Sequence, residues 1–125
     1  MFVEGKGFTY PEDKTITKWV DLRANITVDK RNHLFSILGS GFSEFQNKEY
    51  YTLFTTRKTN NDKYYLIKTL YTPTYHSVKE QSVIIYKIIN YDLSTLTFQM
   101  RGYTNTHGEI KGELVFTPQK EGYHI

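Results

Sequence analysis

The residue types that do chemistry near neutral pH are few and scattered in this chain. The four histidines are His33, His76, His107 and His124, and no two stand at a His-x-His or His-x-x-x-His spacing. His107 lies two residues before Glu109 in a predicted turn. Such a pair can move a proton or hold a metal ion, but polar residues beside a glycine also make an ordinary turn. Asp29, Asp62 and Asp92 fall between apolar runs and read as turn formers. Glu44 and Glu49 flank a predicted loop, and nothing around them marks a glycosidase-like carboxylate pair. Gly39-Ser40-Gly41 and Gly5-Lys6-Gly7 lack the Lys-Ser/Thr and the following helix of a phosphate loop. Asn25-Ile26-Thr27 matches the glycosylation acceptor pattern but lies inside a predicted strand. Cysteine is absent, which excludes thiolate nucleophiles, disulfides and Cys-ligated zinc or iron–sulfur centres. No residue is therefore assigned a catalytic or metal-ligating role, and no cofactor is implied. An enzyme is the less favoured reading, with a small hydrolase or isomerase using His107 and Glu109 as its form.

Aromatic residues carry more information. There are 11 Tyr, 8 Phe and a single Trp, Trp19. Trp19 is either a stacking platform for a ligand or a plug closing one end of a barrel beneath a basic side chain such as Arg101. With Tyr51, Tyr65, Tyr86, Arg101 and Tyr103 it forms the candidate ligand-binding set. A second grouping interleaves rings and cations over residues 50–71: Tyr50, Tyr51, Phe54, Arg57, Lys58, Lys63, Tyr64, Tyr65 and Lys68. Stacking rings along a basic groove are what single-strand nucleic-acid binders use. The net charge is only +3, however, and Lys and Arg form no run, which favours a solvated surface.

The elements that position these residues are strands. Period-two alternation dominates. From residue 16 to 28 the even positions Ile16, Val20, Leu22, Ala24, Ile26 and Val28, interrupted by Lys18, oppose the odd positions Thr17, Trp19, Asp21, Arg23, Asn25 and Thr27. This predicts one long bent strand or two short ones in series. Residues 29–32 supply a turn, and 33–38 return as a strand. Gly39-Ser40-Gly41 is expected to break that strand, and 42–48 to form a helical turn or a loop. Residues 50–57 and 63–71 read as a hairpin, which Pro73 ends. Residues 82–91 form the most apolar strand, 95–103 pair back, 104–109 turn, and 110–117 form a last strand before a fraying tail over 119–125. Both faces of one strand are apolar: Val83, Ile85 and Ile89 on one side, Ile84, Tyr86 and Ile88 on the other. Such a strand needs cover on both sides, from the N-terminal segment, from residues 42–45, or from another copy in a homo-oligomer.

The expected fold is one all-β domain over residues 1–125. It is an antiparallel meander of about seven to eight strands forming a closed or partly closed small barrel, with a two-layer β-sandwich as the alternative. A Trp near the start of such a meander resembles, in architecture, a lipocalin-type barrel. Thr17-Lys18-Trp19 departs from the usual Gly-x-Trp, and no helix follows the last strand. The resemblance implies a ligand-enclosing scaffold and does not fix a function.

The expectation for function is a non-enzymatic binding module, holding a small molecule in the barrel or a protein partner on its Tyr-rich surface. The alternative is a single-stranded nucleic-acid binder using the 50–71 hairpin. No signal-peptide core and no apolar run of the ~18 residues of a membrane helix is present, so no membrane span is expected and the cytoplasm is slightly favoured.

Overall fold

Turn chemistry and alternation together set the architecture. The computed structural model describes residues 1–11, 15–73 and 78–119. These form eight strands: β1 (Phe2–Pro11), β2 (Thr17–Asp29), β3 (Leu34–Phe45), β4 (Lys48–Lys58), β5 (Tyr64–Pro73), β6 (Val78–Asp92), β7 (Thr97–Thr104) and β8 (Gly108–Pro118). Each strand pairs antiparallel with the next, and β8 pairs with β1 from Val3↔Pro118 to Pro11↔Ile110. The sheet is therefore a closed up-and-down barrel rather than a sandwich, and closure removes the exposed edges of an open sheet. No helix in the described residues is long and apolar enough to cross a membrane.

The polar turns act as their residues predict. Asp29 accepts from the side-chain amide of Asn32 at 2.8 Å. Asp92 Oδ1 accepts from the Ser94 amide at 2.9 Å and from its hydroxyl at 2.5 Å. Gly108 takes φ +70° where residues 105–107 join β7 to β8.

Four local expectations are corrected. Residues 42–48 are neither helical turn nor loop. Phe45 pairs with Lys48 across Gln46 and Asn47, whose φ values of 49° and 64° are those of a two-residue hairpin turn. Gly39-Ser40-Gly41 does not interrupt β3. A Cβ on Gly39 would stand 2.5 Å from Phe54 Cζ, so the glycine leaves interior room for a ring. The N-terminal segment is a barrel strand, not a cover. Gly5 and Gly7 face inward there because Phe116 and Leu114 of β8 fill the space their side chains would take. Finally, the alternation of β2 changes phase. Its pairing shifts between Val20 and Arg23, and Asp21 sits at φ 51°. This β-bulge lets Thr17 and Trp19 turn inward before it and Leu22, Ala24 and Ile26 after it, while Ile16 and Lys18 are exposed.

The interior is layered. At the end carrying the chain's N-terminus, Phe35 stacks on Tyr64 at 4.0 Å between ring centroids and meets Phe98 at 5.2 Å. Phe98 leads to Phe116, Phe116 to Phe54, and Phe54 to Trp19 at 6.0 Å. This aromatic column, with the buried aliphatic side chains around it, forms the core of the barrel at this end.

Candidate functional site

Above Trp19 the inward side chains change character. The apolar rows give way to Thr9 on β1, Thr17 on β2, Ser43 on β3, Thr52 on β4 and Ser82 on β6. Hydroxyl side chains are shorter than the rings below them and do not fill the lumen. A cavity of about 670 Å³ opens there, at the end where β1–β2, β3–β4, β5–β6 and β7–β8 are connected. Its size is that of sites for drug-sized molecules. Leu70, Ile84, Ile110 and Phe45 supply apolar wall, and Tyr103 and His107 stand at the mouth.

Lys68 lies at the base of this cavity. It belongs to the inward row of β5, between Leu66 and Leu70, and is 1% exposed. Its Nζ stands 4.0 Å from the centroid of the Trp19 ring. It makes no ion pair or hydrogen bond with the described residues, and no Asp or Glu among them lines the cavity. Removal from water disfavours the ammonium form and lowers the amine from 10.5 to about 7. The ring face favours the cation and acts in the opposite sense.

The polar groups around it are ordered. Trp19 Nε1 donates to Thr9 Oγ1 at 3.2 Å. Tyr86, itself buried, packs edge-on to Trp19 at 5.8 Å, and burial pushes its phenol well above the ordinary value. Ser43 Oγ and Thr52 Oγ1 are 2.8 Å apart. Thr52 Oγ1 also donates to the Tyr50 carbonyl at 3.4 Å, and either hydroxyl can be the donor of the Ser43–Thr52 pair. Among the described residues the inner part of the cavity thus combines the Lys68 amine, several hydroxyls and the Tyr86 ring, with Trp19 packed beneath the amine.

The six residues singled out from sequence are separated by the fold. Trp19 and Tyr86 meet inside the barrel, and Tyr103 stands at the mouth, 70% exposed. Tyr51 and Tyr65 are on the outer face of β4 and β5. Arg101 is also outside, where its Nε meets Glu109 Oε1 at 3.1 Å, so the cation above Trp19 is Lys68 and not Arg101. Glu109 is held by that exposed pair, while His107 lines the cavity mouth with its ring 6.4 Å from Phe45. His76, His124 and the tail beyond residue 119 lie outside the described residues.

The 50–71 hairpin also divides between the two faces. Phe54, Tyr64 and Lys68 are buried in the barrel, and Arg57, Lys58 and Tyr65 face out. Sequence reasoning missed the role of Lys68 because Tyr65 and Ile67 make the other face of β5 equally apolar. The available signal was a lysine in phase with Tyr64, Leu66 and Leu70. Comparison of the chain with protein-family models, curated proteins and solved structures finds no match.

Proposed function

We propose that this barrel is a non-enzymatic binding module that holds a small molecule in the cavity at its open end. The observation that carries the reading is the half-filled lumen. Buried rings and aliphatic side chains form the core of one part, whereas the other is walled by hydroxyls and apolar groups around 670 Å³ of space. A barrel selected only for stability gains most by filling its interior, since each unfilled volume forfeits packing energy. Native mass spectrometry of gently purified protein tests it. A mass excess that vanishes on denaturation, or saturable uptake of an added apolar probe reported by Trp19 emission, is the expected result. Bare protein that takes up no probe overturns it.

A second reading rests on the outer face. Val83 and Ile85 are about half exposed, and the register sets Ile67 against Ile85 and Leu53 beside Thr69 and Val83. The interior covers only one side of β6, so contact with a second copy of the chain is the use that fits this strip. A dimeric mass in solution, reduced to monomer by Ile85→Lys, supports it, and a monomer at high micromolar concentration removes it.

A further inference from the structure

We infer that the cavity takes an amphipathic monocarboxylic acid, its carboxylate seated on Lys68 and its apolar body directed to the mouth. The inference rests on the cavity reading above and names the ligand class. A cation taken out of water is costly unless an opposite charge meets it. Lys68 is 1% exposed and has no carboxylate partner among the described residues. Among the described residues no counter-charge meets the amine, and it lines an open cavity, so a ligand can supply it.

The surroundings fit an anion of charge one. Thr9, Ser43 and Tyr86 line the cavity with hydroxyl groups, and no acidic side chain of the described residues lines it to repel an anion. Among the described residues one lysine lines the cavity, and it balances one negative charge. A phosphate monoester would bring nearly two, and no arginine lines the site to match the second. The vertical order of the walls sets the orientation: cation and hydroxyls at the base, Leu70, Ile84 and Ile110 along the sides.

The acid must bind the ammonium form, which gives a pH signature. Among the described residues Lys68 lies over the Trp19 ring and is paired in register with Phe54 and Ile84, while Thr9, Ser43 and Tyr86 line the same cavity, and none of these is charged near neutral pH. His107 at the mouth and Tyr50, Tyr86 and Tyr103 are the other titratable side chains of the described lining. Because burial leaves the free amine at about 7, affinity for an acid falls as pH rises from 7 to 9, by up to roughly tenfold per unit. A bound carboxylate raises the amine's pKa, so binding above pH 7 takes up a proton.

The test uses octanoate and 4-phenylbutyrate, each against the alcohol of the same skeleton, titrated calorimetrically into the full chain at pH 6, 7.5 and 9. The expected result is at least tenfold tighter binding of an acid than of its alcohol at pH 6, a difference that shrinks toward pH 9. Lys68→Met should abolish the difference and keep alcohol binding, and His107→Gln should leave the pH dependence in place. The wild-type pH series stands as evidence even if Lys68→Met does not fold. Equal binding of acids and alcohols at every pH overturns the acid inference and leaves the cavity reading intact. No binding of any of the four compounds overturns both.

Discussion

The amine of Lys68 lies 4.0 Å above the ring of Trp19, at the boundary between the packed and the open half of the barrel. The two residues come from β5 and β2, which do not pair, so barrel closure is what brings them together. The ring ends the aromatic column, and the amine lies over its face. A cation over an aromatic face is worth about 0.5–2 kcal/mol. That is less than the several kcal/mol of desolvation a buried ion incurs, so the pair is a net strain on the empty barrel.

Lys68→Met should therefore stabilise the protein, and by an amount that depends on pH. The folded-state amine titrates near 7, and the unfolded one near its ordinary 10.5. Below pH 7 both states carry the proton and the folded state bears the full penalty, on the order of 5 kcal/mol at most. Between pH 7 and about 10 the unfolded chain holds more protons, so wild-type stability rises and its gap to Lys68→Met narrows. Urea denaturation of both proteins at pH 6, 8 and 9.5 measures this. A gap that is constant with pH would show that Lys68 is not desolvated.

Trp19 is the chain's only tryptophan, so its emission reports this one site. Full burial predicts a blue-shifted spectrum, and the changing charge above the ring predicts a pH-dependent emission with a midpoint near 7. The titration should disappear in Lys68→Met and persist in His107→Gln. A midpoint unchanged by Lys68→Met would assign the signal to another group.

The fold was legible where one face of a strand was apolar and the other polar. Residues 50–71 gave a hairpin, and the Asp-rich turns fell where expected. It was illegible where physical demands conflicted with composition. β1 carries Gly5 and Gly7 inward and Phe8 outward, the reverse of a half-buried strand, because Phe116 and Leu114 of β8 occupy the lumen. The turn at Gln46-Asn47 lacks the glycine that usually announces its geometry. Of the residues around the cavity, Trp19, Tyr86 and Tyr103 stand in the candidate set on residue type alone. Lys68 was not, since a lysine in a strand apolar on both faces gives no sign of which way it points until closure fixes the inside.

Gly39→Ala should destabilise the barrel by about 1–3 kcal/mol through overpacking. The new methyl would meet Phe54 Cζ at 2.5 Å and Ala24 Cβ at 2.7 Å. Since most of the clash is with the Phe54 ring, the penalty should shrink in a Phe54→Leu background. A double-mutant cycle by chemical denaturation measures the coupling. Strict additivity would mean that the two residues do not compete for the same space.

Asp21 sets the phase of β2, and deletions along that strand should separate two kinds of residue. Opposite the three-step path from Trp19 to Leu22, β1 spends only two, from Gly7 to Gly5. On the other side β3 spends two, from Phe42 to Ser40, against three from Val20 to Arg23. Asp21 is thus one residue more than either neighbour needs. Removing it leaves Trp19 and Leu22 both inward and both ladders in register, and it relieves a left-handed backbone that costs a non-glycine residue about 1–2 kcal/mol. The loss is the local twist the bulge provides. Deletion of Asp21 should therefore give a folded protein with buried Trp19 emission. Deletion of Asn25, in the regular part of the same strand, has no such escape. With Ile26 kept inside it turns Arg23 and Asp21 toward the core, and it should abolish cooperative unfolding. If both deletions proved equally disruptive, the extra residue would be required for closure itself, through the bend it puts into β2.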